Sequence, residues 1–93
     1  MIRNFRDQRT ANAFEGKAGK GFPANLLVIA RRKLEMLNAA AELSDLRAPP
    51  GNRLEALSGN RKGQHSIRVN NQYRICFTWT KDGATNVEFT DYH

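Results

Sequence analysis

The stretch Arg53 to Phe77, RLEALSGNRKGQHSIRVNNQYRICF, decides how this chain folds. Within it, Gln64 to Asn70 alternates, with His65, Ile67 and Val69 on one side and Gln64, Ser66 and Arg68 on the other, the pattern of a half-buried strand. Tyr73 to Trp79 repeats the pattern. Tyr73, Ile75, Phe77 and Trp79 form one face, and Arg74, Cys76 and Thr78 the other. Odd positions therefore read as core and even positions as open. Opposed residues of an antiparallel pair share a face, so matching odd with odd requires an odd loop, Asn70-Asn71-Gln72, and sets Arg68 against Arg74. Two facing guanidiniums repel, and the pair becomes favourable when an anion such as phosphate sits between them.

The same parity argument extends to the end of the chain. A loop of Lys81-Asp82-Gly83 or Asp82-Gly83-Ala84 keeps Phe77 and Trp79 in phase with Val87 and Phe89, whereas a bare Asp82-Gly83 turn would turn the last strand inside out. Under either odd loop Tyr92 falls opposite or diagonal to Arg74. The open face is then expected to read Arg68, Arg74, Tyr92 across three strands, with His93 beside it.

Upstream, Met1 to Phe5 is short and alternating, fit for an opening strand. Asp7 is placed to cap a helix running to about Phe14, closed by Gly16 and the Gly19-Lys20-Gly21 run. Pro23 is expected to open the longest helix, to about Ala41, with Leu27, Ala30, Leu34, Leu37 and Ala41 as its buried stripe. Arg31, Arg32, Lys33 and Glu35 fall on its other faces and read as a solvated surface. Glu42 to Arg47 holds room for one more turn, with Leu43 and Leu46 inward. Pro49-Pro50-Gly51 then ends any helix. The order is strand, two helices, then three or four antiparallel strands: one α+β domain over residues 1–93, with two to three helices packed on one face of an antiparallel sheet.

Composition narrows the function. A hydrophobic content of 40% with a net charge of +6 describes a folded, basic chain. Between Pro49 and Arg74 five cations (Arg53, Arg61, Lys62, Arg68, Arg74) face one anion (Glu55), placing +4 of the +6 in under a third of the sequence. Such a stripe suits a polyanion, although small basic domains also carry purely solvated charge. The lone Cys76, mid-strand, reads as packing and excludes an internal disulfide or a cysteine-based zinc site. No segment is apolar enough to span a membrane, and Met1 to Arg6 lacks a signal-peptide core, so the cytoplasm is expected.

Phosphate-cradling glycine loops, HExxH and GxSxG motifs are missing, so metal or serine chemistry has little support. Metal-free RNA cleavage needs less, because the substrate supplies its own 2′-hydroxyl nucleophile. The protein must assist two proton transfers and stabilise a phosphorane. Arg68 and Arg74 suit the stabilising role. His93, Asp91, Tyr92 and Glu55 are the candidates for proton transfer. A terminal carboxylate on His93 would favour its imidazolium and hence a general acid. Tyr92 could instead stack a base. His65 shares parity with Ile67 and Val69 and reads as a partly buried histidine.

The segments Pro49–Leu57, Gly59–Arg68 and Tyr73–Phe77, with the terminal Asp91-Tyr92-His93, resemble the HigB host-killer branch of the RelE/ParE toxin superfamily. The likeness runs from about Arg31 onward; the first third shares only element order. It implies a microbial-RNase-type fold and a type II toxin: a metal-independent mRNA endonuclease acting in the ribosomal A site, needing no cofactor. Its implied partners are ribosome, mRNA and a HigA-like helix-turn-helix antitoxin, with a heterotetramer among the assemblies open to it. By position, Arg74 matches the arginine on the scissile phosphate, and Asp91, Tyr92 and His93 match residues implicated in cleavage. Arg53, Arg61, Lys62, Arg68 and Asn70 fall where RNA contacts are expected. Three positions depart: Glu55 and Ser58 replace a histidine and a lysine of a characterised HigB, and Asn70 replaces an arginine, with Arg68 a neighbouring substitute. The altered Glu55 and Ser58 keep a second reading open, a non-catalytic ribosome blocker or a ParE-like gyrase poison.

Overall fold

The structure, a computed structural model, describes residues 1–91. Two helices pack on one face of a four-stranded antiparallel sheet. The helices are α1 (Gln8–Phe14) and α2 (Leu27–Ala39), and the strands are β1 (Glu55–Ala56), β2 (His65–Arg68), β3 (Tyr73–Thr80) and β4 (Gly83–Asp91), in spatial order β1-β2-β3-β4. The expected α+β class and helix-on-sheet layering hold.

Local chemistry explains the boundaries. Asp7 Oδ1 accepts from Thr10 N at 2.7 Å and caps α1 as expected. Pro23 precedes a single 3-10 turn, Ala24–Leu26, and the α-helix proper begins at Leu27 and ends at Ala39, inside the expected bounds. Ala30, Leu34 and Leu37 carry the stripe and are fully buried, while Ala41 lies beyond the helix and is exposed. Their partners are Ile67 and Val69 of the β2 segment, Ile75 and Phe77 of β3, and Val87 and Phe89 of β4. Phe22 closes the far end of this core, its ring 4.5 Å from that of Phe89. One charged residue departs from the solvated reading of α2. Lys33 is buried, only 7% exposed.

The first hairpin has the three-residue loop that parity required. Asn70 Oδ1 accepts from both Gln72 N (2.9 Å) and Tyr73 N (2.7 Å), and Val69 N donates to Tyr73 O (3.0 Å). Arg68 accordingly pairs with Arg74.

The second hairpin corrects the expected odd loop. Thr80 pairs with Gly83 around the two-residue turn Lys81-Asp82, so near the tip Trp79 shares a face with Ala84. Between Thr78↔Thr85 and Cys76↔Glu88 the register shifts: β3 advances two residues while β4 advances three. The extra residue is a β-bulge, and Asn86, at φ 51°, supplies its left-handed backbone. Asn4 latches it, Oδ1 accepting from Asn86 N at 2.6 Å and its carbonyl from Val87 N at 3.2 Å. The bulge restores parity, leaving Val87 and Phe89 under the helices.

Met1 to Phe5 is likewise not a full strand. It makes two parallel bridges to β4, Ile2↔Ala84 and Phe5↔Val87. Farther along the same edge, Thr10 Oγ1 accepts from Phe89 N (2.9 Å) and Arg9 Nη2 donates to Phe89 O (2.7 Å). The outer edge of β4 is thus closed by the N-terminal segment and α1, which removes a pairing hazard.

Candidate active site

Opposed residues place two rows of side chains on the sheet face away from the helices. One row is Glu55, Ser66, Cys76, Glu88, and the next is Arg68, Arg74, Thr90. Arg68 and Arg74 stand side by side on one face, as the alternation required.

That face is less open than the pattern suggested. Ser66 and Cys76 are buried, at 0% and 1% exposure. Arg61 Nη1 meets Glu88 Oε1 at 3.1 Å, and Arg6 Nε lies 3.8 Å from Glu88 Oε2. Burial pushes the Cys76 thiol above its ordinary value, with Glu88 adding to the shift and the Arg61 and Arg74 charges opposing it. A buried, protonated thiol is a poor nucleophile, which agrees with a packing role.

Arg74 is clamped at two points. Its Nε donates to Ser66 Oγ at 2.7 Å and its Nη2 to the carbonyl of Arg53 at 2.8 Å. An arginine has five N–H groups, so these two bonds among the described residues leave three for a ligand. A guanidinium fixed through one edge presents the rest in a defined plane, the geometry that recognises phosphate oxygens in pairs. Arg68 is held separately, Nη2 donating to Asn71 Oδ1. The two like charges are therefore kept adjacent by different anchors.

The remaining candidates divide by position. Glu55 is exposed and opposite Ser66, in the row adjoining Arg74. Arg53, at φ 45°, has an exposed side chain, and its carbonyl completes the Arg74 clamp. Arg61 is engaged with Glu88 and with Gln64 Oε1 (3.1 Å), whereas Lys62 is exposed. Asn70 uses its side-chain oxygen in the hairpin loop. Asp91 pairs with Tyr73, so it has the parity of the helix-covered face, not that of Arg74, and its Oδ2 accepts from Gln72 Nε2 at 3.0 Å. Tyr92 and His93 lie outside the described residues.

His65 is half-buried against Phe77, its Nδ1 without a hydrogen-bond partner among the described residues. It lines a hollow of about 560 Å³ with Leu43, Arg47 and Ala56, on the opposite side of β2 from the arginine row. The row itself is a surface, which suits a polymer better than a small enclosed ligand. Sequence reasoning missed Ser66 and Glu88. The alternation that located Arg74 also puts both on its face, and a short polar residue two positions before Arg68 was the available signal.

Residues 3–93 match the family model described as "RelE-like toxin of type II toxin-antitoxin system HigB". The chain belongs to this HigB-like toxin family. It is similar to Toxin HigB-1 of Vibrio cholerae serotype O1, at 45% identity over 100% of this chain and 98% of the relative. Endoribonuclease HigB of Proteus vulgaris is 29% identical over the full length of both. An uncharacterised Haemophilus influenzae protein is 35% identical over 97% of this chain and 89% of its own. Among solved structures, the YoeB-YefM complex from Staphylococcus aureus contains a chain that superposes with a TM-score of 0.62 at 13% identity, covering 100% of this chain and 98% of that one. That likeness concerns the fold alone. In this HigB-like toxin the arginine row occupies the sheet face the helices leave uncovered, and no helix among the described residues is long and apolar enough to cross a membrane.

Proposed function

We propose that this toxin is a metal-independent endoribonuclease that cuts mRNA, and that it acts on message held in the ribosomal A site. The observation that carries this reading is the clamped Arg74 beside Arg68 on an open sheet face. The name of the Proteus vulgaris relative, Endoribonuclease HigB, supports the cleavage of RNA.

The reaction follows from the substrate. The 2′-oxygen loses its proton and bonds to phosphorus, the bond from phosphorus to the 5′-oxygen breaks, and the leaving oxygen takes up a proton. The products are a 2′,3′-cyclic phosphate and a 5′-hydroxyl. Negative charge grows on the non-bridging oxygens, where Arg74 and Arg68 stabilise it; donors already held in place gain most because they need not reorganise. Glu55 is the acceptor for the 2′-proton on this face, and Tyr92 or His93 supplies the acid. Arg53 and Lys62 hold the flanking backbone. A HigA-like helix-turn-helix antitoxin keeps the toxin inactive.

The test is expression in growing cells with mapping of mRNA 5′ ends. Cuts within translated regions, ending in 5′-hydroxyls and lost in Arg74→Ala, are expected. Growth arrest with intact transcripts would establish the non-catalytic reading instead.

A further inference from the structure

The clamp on Arg74 has a second layer. The carbonyl that accepts from Arg74 Nη2 belongs to Arg53, whose φ of 45° and ψ of 54° put a non-glycine residue in the left-handed region. Such a conformation persists only where its surroundings over-determine it. Its immediate neighbour, Asn52, is fully buried, with both its amide N–H groups and its side-chain oxygen hydrogen-bonded. Asn52 Nδ2 donates to the carbonyls of Leu46 (3.2 Å) and Ala48 (3.3 Å), and Asn52 Oδ1 accepts from Lys33 Nζ at 2.5 Å. The side chain thus ties the Leu43–Arg47 turn, the proline segment and α2 together at the residue before Arg53.

Lys33 is an unusual partner. It is buried, with no carboxylate among its bonds to the described residues, and burial lowers its pKa, the charges of Arg32 and Arg68 adding to that shift. An ammonium that only packed would reach for solvent. This one is turned to an amide oxygen.

We propose that Asn52, braced by Lys33, is a positioning residue for Arg74: it fixes the Arg53 carbonyl, and that carbonyl with Ser66 Oγ aims the guanidinium. The inference rests on the phosphate-binding reading of Arg74, and one of its tests does not need activity. Asn52 and Lys33 are both buried and so are not offered as contacts to RNA.

Two measurements decide it. The first is the Arg74 Nε–H signal in nuclear magnetic resonance of the whole toxin, identified by its disappearance in Arg74→Lys. The wild type is expected to show a slowly exchanging proton, and Asn52→Ala and Lys33→Met to exchange it faster, the former more so. Unchanged exchange in both folded variants overturns the proposal, whatever the protein's activity. The second is RNA cleavage. Asn52→Ala is expected to lower kcat between about tenfold and a hundredfold with KM little changed, the scale for a catalytic group displaced by a remote substitution. In an Arg74→Ala background the same substitution should have no further effect, because residues acting through one group are not additive. A full additional loss in that background would show Asn52 to be merely structural. Lys33→Met retains the Leu46 and Ala48 bonds, so it provides the folded variant if Asn52→Ala does not fold. Absence of cleavage by wild type would remove the endoribonuclease reading and leave the exchange measurement standing.

Discussion

Replacing Arg74 by lysine separates charge from geometry at this site. Lysine keeps the unit charge, but its three donors radiate from one nitrogen and cannot occupy a fork. In the wild type, Nε is held by Ser66 Oγ at 2.7 Å and Nη2 by the Arg53 carbonyl at 2.8 Å, while the outer edge is presented to a ligand. An ammonium reaching the phosphate must release at least one anchor, leaving the buried Ser66 hydroxyl without its partner. Losing one preorganised donor to a developing oxyanion costs roughly 2.7–4 kcal/mol, about a hundredfold or more in rate. The unpartnered hydroxyl should also lower folding stability by about 1–2 kcal/mol. Arg74→Lys is therefore expected to cleave nearly as poorly as Arg74→Ala. The assay is single-turnover cleavage of message on translating ribosomes, with urea unfolding run in parallel to correct for unfolded protein. If Arg74→Lys stayed within tenfold of wild type, point charge alone would suffice, and the clamp would have no catalytic meaning.

Other expectations concern the scaffold and its titrating groups. A Cβ at Gly83 would lie 2.0 Å from the carbonyl oxygen of Met1, at a φ of 124°, so Gly83→Ala should displace the N-terminal segment from β4 and lower stability by ~2 kcal/mol or more, read by urea unfolding. Because the folded state holds the Lys33 pKa below its ordinary 10.5, the unfolded chain binds the extra proton in the alkaline window beneath that value; stability from this group rises with pH there. The stability of Lys33→Met relative to wild type should then fall as pH rises through the alkaline range towards 10.5; a flat difference would contradict the burial of an ammonium. With its thiol buried and its pKa raised, Cys76 should resist iodoacetamide at pH 8 in the native protein and react at once in urea, followed by mass spectrometry.

The strands carrying the arginine row were legible because alternation and loop parity are properties of adjacent residues. Once Ile67, Val69, Ile75 and Phe77 were taken as core, the three-residue loop and the Arg68↔Arg74 pairing followed. The second hairpin defeated the same logic. A two-residue turn and a compensating bulge satisfy parity as well as an odd loop does, and nothing near Asn86 distinguishes them, since the bulge is latched by Asn4, 82 positions away in sequence. Lys33 was misread for a related reason. Its charge assigned it to the solvated faces although it lies three residues after Ala30 and four before Leu37, and its partner Asn52 arrives from beyond two prolines. At the candidate site, charge type pointed to Arg74, but its anchors Ser66 Oγ and the Arg53 carbonyl are a short hydroxyl and a backbone atom. Composition gives neither any weight.

The bulge also decides what faces Arg74. Without the extra residue, the turn at Lys81-Asp82 would set Phe89 and Val87 on the arginine side and Glu88 and Thr90 under the helices. Two large apolar side chains would be exposed, and Glu88 would be buried away from Arg61. With it, Phe89 stacks on Tyr73 at 4.7 Å inside the core, and Thr90 comes opposite Arg74. The bulge thus delivers the end of β4 to the arginine row in the polar phase. Asn86 accepts a left-handed backbone, at a cost of about 1 kcal/mol, for a register on which both the core and the site depend. A backbone irregularity far from the guanidiniums therefore belongs to the site as much as the charges do. It explains why the polar face survives a hairpin whose turn, taken alone, would have inverted it.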